Sequence, residues 1–196
     1  MTRRESLRST GWGALIALLI SGVGFLWEEI GYEPFVVEGP SMQPTLAPGD
    51  RFLLERGAYG LDSIQWAEPT PGDVVVAQSP VDESIVVKRV VAVGGDTIDC
   101  LGGVLRINGQ VVSMGQDEPC RFDEHTSGCR VRTERFVQGA SHRVAWDRLQ
   151  DFGPIVVPLG SVFLLGDQRD RSNDSRNPLM GSVSQTRILG RVGWTY

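Results

Sequence analysis

The chain has 196 residues, with 24 acidic and 19 basic side chains and a net charge of −5. That length suits one domain able to bury a real core, and the acidic balance leaves no basic face for nucleic acid as the main partner. Two histidines, His125 and His142, and three cysteines, Cys100, Cys120 and Cys129, give little from which to build a Ser/His/Asp triad. They lack the paired spacings of a zinc site and are few for a disulfide scaffold.

Residues 1–10 carry Arg3, Arg4 and Arg8, and residues 11–27 then run without a charge. Seventeen helical residues reach roughly 25 Å, the short end of a membrane span. Trp12 and Trp27 stand where interfacial anchors sit, and arginines before the span with Glu28 and Glu29 after it put the N-terminus in the cytoplasm. A cleaved secretory signal shares this layout, but its small-x-small site is poor, Gly22-x-Gly24 being the only candidate. A buried soluble helix would show a polar face, and there is none.

From Glu33 to Asp50, the prolines at 34, 40, 44 and 48 and the glycines at 39 and 49 exclude a helix. Pro34 begins an extended segment, and Ser41 falls on a constrained bend directly after it. A serine there is either an ordinary turn residue or a nucleophile awaiting a base. The run Ile85-Val86-Val87-Lys88-Arg89-Val90-Val91 reads as a buried strand, and it holds the chain's only lysine against 18 arginines. Burial disfavours an ammonium ion and drives its pKa down, whereas arginine stays charged. Lys88 is therefore either a neutral amine acting as a base or a lysine on the wet face of an edge strand.

Val104 to Val112, with Asn108-Gly109 between apolar runs, predicts a hairpin. Residues 113–150 turn polar and irregular, and Cys120 and Cys129 bracket an eight-residue loop. Outside the cytoplasm a disulfide between them is permitted, which leaves Cys100 free. A second core strand, Ser161 to Leu165, ends in the dense polar run Gly166 to Arg176. Asp170, Ser172 and Asp174 start like a calcium loop, but Ser175 and Gly181 stand where that loop needs Gly and Glu, so no metal is expected.

Five separated stretches carry a family resemblance. Glu33-Pro34-Phe35 followed by Ser41-Met42-x-Pro44-Thr45-Leu46 resembles the nucleophile box of bacterial type I signal peptidases, membrane-anchored serine proteases with a Ser/Lys dyad. Pro71 to Val76 and Val87 to Asp96 are similar to that family's core strand and lysine box. Gly166 to Arg176 resembles its last signature, with Gln168 and Arg171 as departures, and Ile188 to Trp194 matches its closing strand. The resemblance implies Ser41 as nucleophile and Lys88 as base, with Ser172 hydrogen-bonding the Lys88 amine and Asp174 and Arg176 forming a supporting ion pair. It also places Gly39 where some members carry a serine hydroxyl that serves as an oxyanion donor.

Together these readings predict a mainly β chain: a compact antiparallel β-sheet catalytic core with an inserted irregular subdomain and one N-terminal transmembrane helix. The expected divisions are a cytoplasmic N-terminus 1–10, a membrane helix 11–27, core 28–112, a surface insertion 113–154 that is not a second catalytic unit, and core 155–196. The implied activity removes signal peptides from exported preproteins after Ala-x-Ala-type residues, without a cofactor, at the outer face of the cell membrane. A substrate added as an extended strand has Phe35, Val37 and Val87 as candidate pocket walls, and Trp66 lies in a loop suited to contact lipid.

Overall fold

The structure is a computed structural model and describes residues 31–61, 64–120, 129–148 and 150–196. The expected membrane helix, 11–27, and the arginines before it lie outside the described residues. Among those described, no helix is long and apolar enough to cross a membrane.

The main sheet has seven strands in the order Tyr32–Val36, Arg51–Glu55, Ile188–Thr195, Val74–Gln78, Ile85–Val93, Ser161–Leu165 and Val183–Ser184. Every pairing is antiparallel. β-Branched residues dominate its centre, where Val75, Val76, Val90, Val91 and Val162 are fully buried. Such side chains fit a pleated surface covered on both faces. The tail returns to the middle of the sheet, as its closing-strand pattern predicts. Two apolar clusters cover the sheet near the site, one with Phe52, Leu54 and Val76, the other with Val75, Val90 and Leu164.

A second sheet joins Phe152–Val156, Thr97–Leu101, Val104–Ile107 and Gln110–Val111. Its last turn is the predicted Asn108-Gly109 hairpin. Both residues take positive φ, 54° and 75°, as a tight two-residue connection requires. Asn108 tolerates this because its amide is engaged on both sides, accepting from Thr97 N–H at 2.9 Å and donating to Asp96 at 2.7 Å. The strand Phe152–Val156 straddles the boundary expected at 154/155.

The insertion differs from the irregular segment expected. Arg130–Arg135 and Ser141–Trp146 form an antiparallel hairpin, flanked by the short strands Ser113–Met114 and Glu118–Pro119. The polar composition hid this because much of what these strands bury is itself polar, Arg132, Glu134 and His142 lying inside beside Val131 and Val144. Nor does the insertion lie only on the surface: Phe136, 2% exposed, packs with Val91, Phe163 and Leu165. Cys120 and Cys129 form the disulfide with Cα atoms 5.4 Å apart, and Cys100 is free and buried.

Candidate active site

Ser41 sits in a short 3₁₀ turn, Pro40–Met42. Pro40 presets the first φ of that turn and gives up no needed donor, and the turn closes through Gln43 N–H to Pro40 O at 3.0 Å. The wider loop is pinned at its neck, where Gly49 N–H donates to Val37 O at 2.7 Å and Val37 N–H to Asp50 O at 2.9 Å. Met42 and Leu46, nearly inaccessible, plug into the cluster around Phe52 and Leu54. Ser41 is thus carried on a bend fixed by apolar anchors on its C-terminal side. Its carbonyl accepts Gln168 N–H at 3.0 Å, tying the bend to the polar loop 166–176.

Lys88 projects from the long strand Ile85–Val93 and is 5% exposed. Its Nζ lies 2.9 Å from Ser41 Oγ and 3.0 Å from Val87 O. Burial pushes the amine below its ordinary pKa, while the charges of Asp174 and Asp167 pull it back up. Each of those carboxylates is also paired with a guanidinium. Asp174 accepts Nε and Nη2 of Arg176 at 2.8 and 2.9 Å and Gly166 N–H at 3.0 Å. Asp167 accepts Nε and Nη2 of Arg89 at 2.8 and 2.7 Å. With each acid committed to a guanidinium, desolvation prevails and the amine is driven towards its neutral form.

The structure brings Asp174 and Arg176 together as the resemblance implies, but it gives Ser172 no hydrogen bond to the Lys88 amine. The Ser172 hydroxyl is buried and finds no hydrogen-bond partner among the described residues, and Val87 O takes the second position at the Lys88 amine. The loop packs too closely for side-chain adjustment there. A Cβ on Gly166 would overlap Ser172 Oγ and would stand 2.5 Å from Ser41 O. Phe35, Val37 and Val87 fall in one apolar cluster with Met42, and Phe35 stacks on Phe52 at 5.6 Å. Gly39 is open, with nothing within 4 Å of where a Cβ would stand. Trp66 is half exposed.

Sequence reasoning missed the buried cluster behind Lys88. Arg89 is 6% exposed and Asp167 1%, and this bidentate pair also holds Gly72 O at 2.6 Å and the Thr45 hydroxyl at 3.3 Å. Thr45 donates in turn to Asp167. An arginine in an apolar strand was the available signal, since a buried guanidinium requires a carboxylate partner. Among the described residues no group of three or more His, Cys, Asp or Glu side chains is placed to hold a metal ion. What the arrangement offers chemically is a hydroxyl with a poorly solvated amine at hydrogen-bond distance, the relation of a nucleophile to its base.

The family model described as "Signal peptidase, peptidase S26" matches residues 9–196, and the chain belongs to that family. Within it, the chain is a serine peptidase of the type I signal peptidase kind, an enzyme of signal-peptide removal. It is similar to signal peptidase I of Bacillus amyloliquefaciens, 29% identical over 188 residues that cover 96% of this chain and 85% of that protein. It is 31% identical to signal peptidase I T of Bacillus subtilis (strain 168) over 91% of this chain and 80% of that one. A crystal structure of a signal peptidase I from Enterococcus faecalis V583 matches with a TM-score of 0.42 and 25% identity, covering 64% of this chain and 97% of that chain.

Proposed function

We propose that Ser41 is the nucleophile and neutral Lys88 the general base of a membrane-anchored endopeptidase that cuts preproteins after small residues of the Ala-x-Ala type. The observation that carries the reading is the 2.9 Å separation of Lys88 Nζ from Ser41 Oγ at an amine only 5% exposed. The Lys88 lone pair takes the Ser41 proton as Oγ attacks the scissile carbonyl. The ammonium then returns that proton to the leaving amine, and the neutral amine activates water to release the acyl group. Ser41 N–H is the oxyanion donor this chain supplies from the nucleophile itself, since Gly39 offers no hydroxyl and Pro40 no N–H.

Strand addition has an edge to use. The strand Ser161–Leu165 pairs with Val93 back to Arg89 and stops there, so among the described residues Ile85 to Lys88 have a ladder partner only on the Val74–Gln78 side. An extended peptide laid along the open side enters beside Lys88, with Phe35, Val37 and Val87 as apolar walls that admit small side chains. Support for the anchor comes from the uncharged run 11–27 behind its arginines, which places the catalytic domain on the outer face of the cell membrane, against lipid.

A processing assay in detergent with an Ala-x-Ala preprotein tests this reading. Wild type cleaves, whereas Ser41→Ala and Lys88→Arg lose at least about 10³-fold in rate while remaining folded. Cleavage retained by Lys88→Arg removes the base assignment. A folded but inert wild type points instead to an envelope adaptor on the same scaffold.

A further inference from the structure

We propose that Glu134, in the insertion, is a positioning residue for Ser41 that acts through Arg169. The inference rests on the assignment of Ser41 as nucleophile and gives the insertion a part in the reaction.

Glu134 lies on the hairpin strand Arg130–Arg135 with no exposed surface. Its two carboxylate oxygens accept Nη1 and Nη2 of Arg169 at 3.1 and 2.5 Å, a two-pronged contact that fixes direction as well as distance. Arg169 adjoins Gln168, whose N–H holds the Ser41 carbonyl at 3.0 Å. The carbonyl of Arg169 accepts Arg176, which grips Asp174, which in turn takes Gly166 N–H. Gly166 is the residue against which Ser41 O is packed. Both arms of the polar loop therefore run from Arg169 back to the nucleophile.

The hairpin seats itself on the same loop at two further points. Ala145 N–H donates to Asp167 O at 2.8 Å, and Asp147 N–H donates to the Asp170 carboxylate. The other basic side chains near Glu134 are less well placed to pair with it. Arg132 Nη2 stands 4.0 Å away, bonded to Gly103 O and with its guanidinium 4.3 Å over Trp146. His142 Nε2 stands 3.5 Å away, with its ring stacked on Phe136. A buried ion pair gives little net stability over apolar groups of the same shape. What this one supplies is a fixed position for the residue beside the Ser41 tether.

The test uses the full chain in detergent micelles with a preprotein substrate at saturating and sub-saturating concentrations. Glu134→Gln is expected to lower kcat about tenfold or more with KM nearly unchanged, because the loss falls on Ser41 placement and not on the peptide slot. Arg169→Gln should give a similar loss, and the double variant should lose far less than the product of the two. A folded Glu134→Gln with wild-type kcat overturns the proposal, as do two single losses that simply multiply. If Glu134→Gln does not fold, Arg169→Lys, which keeps the charge and removes the fork, decides: the same kcat loss supports the proposal, and wild-type kcat overturns it. Ser41→Ala run beside them separates the two ideas, since cleavage retained by that variant removes the nucleophile assignment whatever Glu134 does.

Discussion

With Lys88 as the proposed base, that one side chain sets the pH at which the chemistry runs, and the sign follows from its surroundings. A free lysine titrates near about 10.4, and burial holds Lys88 below its ordinary value. As base it works only when neutral, so log kcat should rise with pH along a limb that lies below the free-lysine range. Asp174 opposes the shift by favouring the charged amine. Asp174→Asn removes that pull and leaves Arg176 as an unneutralised positive charge nearby, and both changes disfavour protonation of Lys88. The limb is expected to move to lower pH in the variant, measured as kcat against pH at a temperature where the protein is folded. A limb that stays in place or moves up would show that the Asp174 charge does not reach the amine. Lys88→Arg shows no such limb, because a guanidinium stays protonated above pH 12 or so.

Elements differ in how far the sequence discloses them, and the range of the interaction decides. The Asn108-Gly109 turn, the Lys88 strand and the Pro40-bounded bend were legible because the residues that dictate each lie within a few positions of one another. The Ser41–Lys88 meeting joins residues 47 apart in the chain and was reached only through an electrostatic oddity and a family resemblance. Arg89 with Asp167, 78 apart, carried no local sign of its partner, and the position expected for Ser172 at the Lys88 amine is taken by Val87 O. Loop packing shows at the end of the strand Ser161–Leu165. Ser175 N–H donates to Leu164 O at 3.0 Å and its hydroxyl accepts Leu164 N–H at 2.9 Å, closing the neck of the loop that Gly166 opens. Gly166→Ala places a methyl group 2.5 Å from Ser41 O, a backbone atom that rotamer changes cannot move aside. Cleavage is expected to fall at least about tenfold, and Ser172→Ala should not rescue it, since the clash with the Ser41 carbonyl remains. A Gly166→Ala enzyme with wild-type kcat would mean that the bend relaxes without consequence for the hydroxyl.

At the scale of the whole molecule, two buried ionisable groups tilt stability in the same direction with pH. For Glu134, burial alone raises the pKa, but the charge and hydrogen bonds of Arg169, with His142 beside it, outweigh burial and bring the carboxyl to about 2, against an ordinary 4.5. The unfolded chain therefore binds this proton more readily than the folded one, so the stability Glu134 contributes is present above pH 4.5 and drains away as pH falls towards 2, an amount of the order of 3 kcal/mol. Lys88 acts in a higher window. Its folded pKa is depressed, so between that value and about 10.4 the unfolded chain again holds the extra proton, and stability rises with pH until both states are deprotonated. A single substitution isolates that second effect. Lys88→Met keeps a similar volume without a charge to desolvate, so it should be more stable than wild type near neutrality, and the advantage should shrink steadily as the buffer approaches pH 10. Thermal unfolding of both proteins from pH 6 to 10 reads the difference directly. A gap in Tm that does not change across that range would mean that Lys88 titrates in the folded protein as it does in water, and the neutral base would lose its physical ground.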